Sequence, residues 1–277
     1  MDYILKLTEY KSYLINEEKS KNTIEKYLRD IKKFLDFIPE EIDIEKRVIL
    51  DFKENLIENY KATSVNSILA AVNSFMDWLG LPQLKVKPIK IQREIFSNPE
   101  KELTQREYER LIKTAEKDGN RKLSLLIQTI CSTGIRVSEL KFINVQAVHT
   151  GRAFVSCKGK KRIVFLPKEL CRVLKGFMRE QNIKDGFIFR TKTGKALDRS
   201  NIWKMMKRLC KDARVKQSKV FPHNLRHLFA RTYYKIEKDI SRLADILGHS
   251  NINTTRIYTI ESGNTHAKQI EKMKLVI

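Results

Sequence analysis

Apolar side chains recur at helical spacing through the first 80 residues, and the pattern stops at Gly80 and Pro82. Spacing of three and four residues places such side chains on one face of a helix. We expect four helices: one containing Ile4, Leu7 and Leu14, one capped by Ser20 or Asn22 and stopped by Pro39, one over 48–57, and one capped by Thr63 or Ser64 and running to Leu79. A helical bundle over residues 1–81 follows.

Helical periodicity lapses between residues 82 and 102, where basic residues alternate with Pro88, Ser97 and Pro99. This composition is typical of an extended linker, so we place the domain boundary there. Periodicity resumes at Thr104, which has capping-box spacing to Glu107. A second domain is therefore expected over residues 103–277.

The second domain is predicted to be mostly helical with one small antiparallel sheet. Residues 153–156 and 163–166 are strand-like, and residues 158–161 between them form a hairpin with a cationic tip. Further helices are expected after Ser200, Pro222 and Asp239. The fold class is thus mainly α.

The chain is strongly basic, with 55 Lys and Arg against 33 Asp and Glu and a net charge of +22. Residues 1–100 carry a net charge of −1, so residues 101–277 carry +23. A field of this sign attracts phosphate polymers and favours binding by counterion release. A lysine-rich surface that only aids solubility has the same composition. Charge therefore indicates nucleic acid without excluding the plainer interpretation.

Several protein classes are disfavoured by composition. The longest stretch without a charge, Ala62–Met76, has fifteen residues, too few to span a bilayer. The N-terminus lacks a secretory signal, so we expect a cytoplasmic protein. The four cysteines are scattered without metal-ligand spacing and are expected to be reduced, although four could pair. Neither a metal site nor a cofactor site is predicted.

Two segments combine arginine with groups that suit a phosphate site. Arg136 and Glu139 lie at a helix junction, where a carboxylate can hold a guanidinium against two phosphate oxygens. A surface salt bridge would look the same. In His223–His227, Arg226 and the first histidine share a helical face. Zinc is disfavoured there, because Asn224 replaces the Glu of zinc proteases and the arginine repels a cation.

Two further segments offer a proton donor and a nucleophile. Lys158 lies at the predicted hairpin tip, from which a lysine could enter a DNA groove and release a proton. Leu247–His249 is followed nine residues later by Tyr258. A solvated turn and a packing tyrosine are the plainer interpretations of these residues.

Taken in order, the four segments resemble the tyrosine recombinases of the phage integrase family, and the similarity covers nearly the whole chain. The pattern consists of R-x-S-E-L, a hairpin lysine, H-x-L-R-H, and L-G-H followed by tyrosine. The N-terminal bundle is similar to the family's SAM-like domain that binds the core DNA site. The compact two-domain layout resembles the Xer-type members.

The resemblance implies a site-specific recombinase that needs neither ATP nor metal. Its catalytic residues would be Arg136, Lys158, His223, Arg226, His249 and Tyr258. The tyrosine attacks a DNA phosphate and forms a 3′-phosphotyrosyl link, while the arginines and His249 bind non-bridging oxygens. His223 acts as general base or hydrogen-bond partner, the lysine acts as general acid, and Glu139 supports Arg136 without reacting.

The resemblance also implies partners. These are double-stranded DNA and a homotetramer on two duplexes, with a related recombinase or an accessory protein as a further candidate and no membrane contact. Candidate DNA-contacting residues are Lys85, Lys87, Lys90, Lys160 and Lys161. The hairpin departs from the family pattern, because Cys157 replaces a glycine and the stretch is one residue short, so Lys160 and Lys161 remain alternatives to Lys158 as the acid.

Several alternatives stay open at this stage. A type IB topoisomerase shares the chemistry, and a non-catalytic DNA-binding protein could share the scaffold, whereas an RNA-binding protein would need aromatic strand patterns absent here. A C-terminal helix with Ile270, Met273 and Val276 packs on its own domain or on a neighbouring protomer. Chromosome dimer resolution, integration or excision, and inversion are all compatible tasks.

Overall fold

The computed structural model describes residues 3–38, 44–91, 99–157, 160–258 and 271–273. The chain divides into two compact units, Met1–Arg93 and Glu94–Ile277. Helices dominate both units, and the described residues contain a single two-stranded antiparallel sheet in the second. The mainly α fold class is thereby confirmed. None of the helices in these ranges combines the length and the apolar character needed to cross a bilayer.

The first unit consists of four helices whose apolar stripes face one core. Their bounds are α1 Tyr3–Asn16, α2 Lys21–Leu35, α3 Lys46–Asn59 and α4 Ala62–Trp78. Tyr10, Phe34, Phe52 and Phe75 are fully or almost fully buried in that core. The four predicted helices are confirmed.

The structure shows which of the predicted residues cap α2 and α4 in the first unit. Of the two residues expected to cap α2, Ser20 does so by accepting the N–H of Thr23. The expected caps of α4, Thr63 and Ser64, are wrong, because both lie inside the first helical turn. The backbone carbonyl of Lys61 already accepts the N–H groups of Ser64 and Val65, and no side chain caps this end.

The segment expected to be an extended linker is held against the first unit over residues 82–91. It opens with a 3-10 turn, Pro82–Leu84. The Asn73 amide then accepts the N–H of Val86 at 3.0 Å and donates to its carbonyl at 2.9 Å. Asn66 makes the same pair of bonds with Ile89, at 2.7 and 2.8 Å. The side-chain amides of Asn66 and Asn73 thus supply the hydrogen-bond partners that a neighbouring strand would otherwise give to this backbone.

The described part of the second unit contains the hairpin and seven helices, one of which is the central helix α6. The helices are α5 Gln105–Lys117, α6 Arg121–Thr133, α7 Val145–Thr150, α8 Lys168–Glu180, α9 Arg199–Asp212, α10 Pro222–Glu237 and α11 Ile240–Leu247. α6 is buried along its length and packs against α5, α8 and α10. The predicted site residue Arg136 follows the end of this helix, and Arg226 lies on α10, which packs against it.

Helix starts in the second unit agree with the sequence in three cases of four. Thr104 and Glu107 form the predicted capping box. Pro222 begins α10, and the Asp239 side chain caps α11. The expected start of α9 after Ser200 is wrong, because Asp198 accepts the N–H of Asn201 and starts the helix earlier.

The hairpin has strands β1 Arg152–Cys157 and β2 Lys160–Phe165, which pair in antiparallel register. Both strands differ by one to three residues at their ends from the predicted ones. Lys160 and Lys161, expected at the tip, belong to β2 and pair with Cys157 and Ser156. The connection is therefore residues 158–159. These two residues, like most of the predicted C-terminal helix, lie outside the described residues.

Candidate active site

Five of the six predicted catalytic residues come together in the second unit, carried by four segments of chain. Arg136 follows the end of α6, and His223 and Arg226 lie in the first turns of α10. His249 follows α11, and Tyr258 ends a 3-10 helix, Arg256–Tyr258. α10 packs against α6, α11 and this last turn, which brings the segments together. The sixth predicted residue, Lys158, lies outside the described residues.

Two glycines let the chain turn sharply beside the arginines. Gly134 ends α6 and Gly248 ends α11, both in the left-handed region, with φ of 63° and 65°. A Cβ on Gly134 would lie 2.5 Å from the Phe229 ring. Its carbonyl accepts a hydrogen bond from Nη1 of Arg226. The helix end thus supplies both the turn and an anchor for the buried arginine.

Arg136 is oriented by Glu139, as the sequence predicted. Its Nη1 donates to Oε1 of Glu139 at 3.0 Å, and its backbone N–H donates to Oε2 at 3.0 Å. Oε2 also accepts from Nη2 of Arg162 at 2.6 Å. Burial by itself raises the pKa of the Glu139 carboxyl, but the Arg136 backbone N–H and the Arg162 guanidinium outweigh it and hold the pKa below its usual range. The carboxylate therefore stays charged.

Arg226 is buried, with only 2% of its surface exposed. Its Nη2 donates to the Leu247 carbonyl at 2.7 Å and to Nε2 of His249 at 3.0 Å. Burial, followed by the neighbouring Arg136, lowers the pKa of its guanidinium to about 10. It remains protonated at neutral pH, so a fixed positive charge lies at the base of the site.

His249 is a neutral imidazole with a defined tautomer. Burial, followed by the charges of Arg226 and Arg136, lowers its pKa to about 4. An arginine can only donate, so Nε2 of His249 is the acceptor in that bond. The ring proton is therefore on Nδ1, which lies 2.8 Å from Oγ1 of Thr255. Neither Thr255 nor this tautomer was predicted from the sequence.

Tyr258 lies inside the site of its own chain, with 6% of its surface exposed. The His227 ring meets it edge-on, with ring centroids 4.9 Å apart, and the His249 ring stacks on it at 6.1 Å. Tyr258 is also close enough to Arg226 to act on the pKa of its guanidinium. The predicted nucleophile is thus packed among the residues that were predicted to bind the phosphate.

His223 and His227 lie one turn apart on α10 and line a cleft of about 390 Å³ with Arg199 and Trp203. Burial lowers the pKa of both imidazoles, to about 4 for His227, so both are neutral at pH 7. Sequence reasoning chose only His223 and missed His227. The four-residue spacing placed both on one face, but only the contact with Tyr258 distinguishes His227 from an ordinary core histidine.

Three of the predicted DNA-contacting lysines belong to the first unit, and the other two belong to β2 of the second. Lys85, Lys87 and Lys90 are exposed on the first unit, and Lys85 is paired with Asp77 at 2.8 Å. Lys161 is exposed on β2, where the backbone of Lys160 also lies. Among the residues that the structure describes, no three His, Cys, Asp or Glu side chains come together as a metal site would require.

Family models match both units. Residues 101–264 match the phage integrase family, which is more than half of the chain. Residues 7–81 match the N-terminal SAM-like domain of phage integrases. The resemblance inferred from the four motifs is confirmed.

Curated relatives match along nearly the entire chain. The tyrosine recombinase XerA of Pyrococcus furiosus is 29% identical, over 98% of this chain and 94% of that protein. The tyrosine recombinase XerD of Halalkalibacterium halodurans is 30% identical, over 87% of each.

Solved structures share the fold. A crystal structure of XerA recombinase is 26% identical, with a TM-score of 0.54 and 98% of each chain covered. A lambda integrase tetramer bound to a Holliday junction is 20% identical, with a TM-score of 0.72, 91% of this chain and 75% of that chain covered. The family models, the relatives and the motif residues agree: the chain belongs to the phage integrase family and is a tyrosine site-specific recombinase.

Proposed function

We propose that this chain cleaves and rejoins double-stranded DNA through a 3′-phosphotyrosyl intermediate on Tyr258. The observation that carries the proposal is the packing of this tyrosine against His249, beside Arg226, in a single chain. The tyrosine oxygen forms a bond to phosphorus while the bond from phosphorus to the 5′ oxygen breaks. One phosphodiester replaces another, so no energy source is needed to rejoin the strands.

The charges around Tyr258 support a phosphate in this position. Three guanidinium groups, those of Arg136, Arg162 and Arg226, face one carboxylate, that of Glu139. The uncompensated positive charge contributes to the lowered pKa of His249. A phosphodiester anion would neutralise part of it, and the charge that grows in the transition state would neutralise more. Fixed donors have their largest effect there.

Arg136 and Arg226 would bind the non-bridging oxygens. Arg136 is one-third exposed, which leaves it accessible to DNA, whereas Arg226 forms the buried base of the site. When a phosphate oxygen accepts from Nη2 of Arg226, Nε2 of His249 loses its donor. The negative charge of the phosphate also raises the pKa of the imidazole, so that His249 can take a proton and donate from Nε2.

Proton transfer would use the neutral histidines of α10 and a lysine of the hairpin. His223 and His227 are neutral at pH 7, so either can accept the proton of the Tyr258 hydroxyl, and the ring of His227 contacts the ring of Tyr258. Lys158 would protonate the departing 5′ oxygen, with Lys160 and Lys161 as alternatives. A general acid there is worth about 10²- to 10⁴-fold in rate.

The two units would divide the work of DNA recognition. Residues 1–81 would bind the core site, residues 82–102 would connect it to the catalytic domain, and residues 103–277 would cleave. The net charge of +23 beyond residue 100 and the exposed Lys85, Lys87 and Lys90 support backbone contacts with DNA. The lambda integrase named above was solved as a tetramer on a Holliday junction. We propose a homotetramer on two duplexes, with a related recombinase or accessory protein as a further partner.

The test uses a nicked duplex carrying the sequences that flank the gene, incubated with the full chain. A covalent protein–DNA adduct that is sensitive to protease is expected, and Tyr258→Phe should bind the duplex without forming it. An adduct with the Phe variant would refute the assignment of the nucleophile. Relaxation of supercoiled DNA without recombinant product would instead favour the topoisomerase alternative.

A further inference from the structure

Arg162 on β2 is a buried guanidinium that the proposed reaction uses neither to bind a phosphate oxygen nor to transfer a proton. Only 14% of its side chain is exposed. Its Nη2 donates to Oε2 of Glu139 at 2.6 Å, and its Nη1 donates to the Ile246 carbonyl at 2.5 Å. One side chain therefore ties the hairpin to the segment of Arg136 and to the last turn of α11.

The stem of Arg162 also packs on the backbone of Gly248, the residue before His249. A Cβ on Gly248 would lie 2.5 Å from Cδ of Arg162 and 2.9 Å from its Nε. The Gly248 carbonyl accepts from Nη2 of Arg136 at 3.3 Å. Arg162 thus contacts both groups that hold the Arg136 side chain, the carboxylate of Glu139 and the backbone at Gly248.

Arg162 is placed to orient other groups and poorly placed to bind DNA itself. Both of its terminal nitrogens already donate to protein oxygens, and its Nε is buried without a partner. Arg136, by contrast, is 33% exposed.

We infer that Arg162 is a positioning residue for DNA cleavage, which holds Arg136, through Glu139, and His249, through Gly248, in one fixed arrangement. The inference rests on the proposed function, because it concerns the geometry of the same phosphate site. Arg162 acts on the two phosphate-binding groups and not through the hairpin lysine. A misplacement of about 1 Å in such groups can cost 10²-fold in rate.

The test compares single-turnover cleavage of a suicide duplex by three variants of the full chain. Arg162→Ala should cleave about 10²-fold more slowly than the unmodified chain, with its affinity for the duplex within about threefold. Arg162→Lys should lose about tenfold, because one ammonium group cannot reproduce the planar fork that bridges Glu139 and Ile246. Arg152→Ala removes an exposed guanidinium from the paired strand and should cleave within about twofold of the unmodified chain.

A modified substrate shows which partner Arg162 acts through. In a 5′-bridging phosphorothiolate the leaving group is a thiolate, which needs no proton from a general acid. This substrate should restore cleavage by Lys158→Ala and leave Arg162→Ala slow. If it restores both variants equally, Arg162 acts through the hairpin lysine and the inference is wrong.

The pH profile separates positioning from a purely structural role. Glu139 faces Arg136 from its own segment, Arg162 from β2 and the more distant Arg226 from α10. Removing the Arg162 guanidinium raises the pKa of the Glu139 carboxyl, so the acidic limb of the cleavage profile should move to higher pH. An unchanged profile with a slower rate, or a normal rate in Arg162→Ala, would overturn the inference.

A readout without cleavage separates this inference from the proposed function. In the Tyr258→Phe background, the ¹⁵N signals of the His249 ring should change in Arg162→Ala and remain in Arg152→Ala. If the unmodified chain forms no covalent adduct, the proposed function is wrong. The His249 spectra would still show whether Arg162 positions that ring. Should Arg162→Ala not fold, Arg162→Lys is used for the same comparison, and unchanged His249 signals in it refute the inference.

Discussion

Replacing Gly134 with alanine should destabilise the second unit far more than the same change at a matched glycine. Gly134 and Gly119 both follow helices and both adopt positive φ, 63° and 67°. At Gly119 nothing lies within 4 Å of a built Cβ, whereas at Gly134 the Cβ would lie 2.5 Å from the Phe229 ring and 3.1 Å from Leu247. The two sites therefore share the backbone strain and differ in the space available.

The expected magnitudes follow from these two effects. An alanine in the left-handed region costs about 1–2 kcal/mol at either position. Forcing a methyl group into packed surroundings costs about a further 1–3 kcal/mol. Gly119→Ala should thus lower the free energy of unfolding by about 1–2 kcal/mol, and Gly134→Ala by about 2–5 kcal/mol. Because the Gly134 carbonyl accepts from Arg226, cleavage should also slow in the second variant.

The assay is urea unfolding followed by tryptophan fluorescence. The chain has two tryptophans, Trp78 in the first unit and Trp203 in the second. In a Trp78→Phe background the signal therefore reports the second unit alone. Equal losses of unfolding free energy for Gly134→Ala and Gly119→Ala would refute the reasoning. They would mean that the Phe229 ring can move away from the new methyl group without lowering the stability of the fold. Adding Phe229→Leu to Gly134→Ala should recover part of the steric cost, and the double-mutant cycle measures that part.

Four other predictions concern the site and the first unit. Glu139→Gln should lower the free energy of unfolding at pH 7 by about 3 kcal/mol, since two arginines lose a buried partner. In the unmodified chain, the lowered pKa of this carboxyl stabilises the fold above the unfolded pKa of about 4.3, and this stability is lost as the pH falls through the folded pKa. Urea titrations at pH 7 and pH 3 measure both effects. Thr255→Val should slow cleavage about tenfold by removing the partner of the His249 ring N–H, and Thr255→Ser should restore it; equal rates in Thr255→Val would contradict the bond. Nitrogen NMR of the DNA-free chain at pH 7 should show the His249 proton on Nδ1 and a pKa near 4, and a proton on Nε2 would contradict the assignment. Asn73→Leu should destabilise the first unit by about 1–3 kcal/mol, because both backbone groups of Val86 lose their partner. Urea unfolding in a Trp203→Phe background, where Trp78 is the probe, measures this loss.

Local sequence signals predicted the helices well where the apolar pattern was regular or where a single capping pair was present. Apolar periodicity gave the four N-terminal helices, and the Thr104–Glu107 pair gave the start of α5. Errors occurred where several residues near a helix start could each cap it, as at Ser200, where Asp198 acts instead. The choice among neighbouring caps depends on backbone angles that the side-chain pattern does not contain.

The segment at residues 82–91 shows another limit of local reasoning. Its basic, proline-containing composition is typical of an extended linker, and residues 85–91 form neither helix nor strand. What attaches it to the first unit is a pair of asparagines on α4, Asn66 and Asn73. No property of the segment itself indicates that partners for its backbone lie 13 and 23 residues earlier in the chain.

The sequence by itself determined which chemical groups the chain carries and their order, and these sufficed to identify the family. Tertiary structure alone decided how the groups act on one another. Arg226 meets the Gly134 carbonyl across 92 residues, and Arg136 meets the Gly248 carbonyl across 112. The contacts of His249 with Arg226 and Thr255 set its tautomer, and the rings of His227 and His249 pack against Tyr258. They depend on which helices pack together, and that packing is fixed by the burial of the whole core, which no short motif encodes.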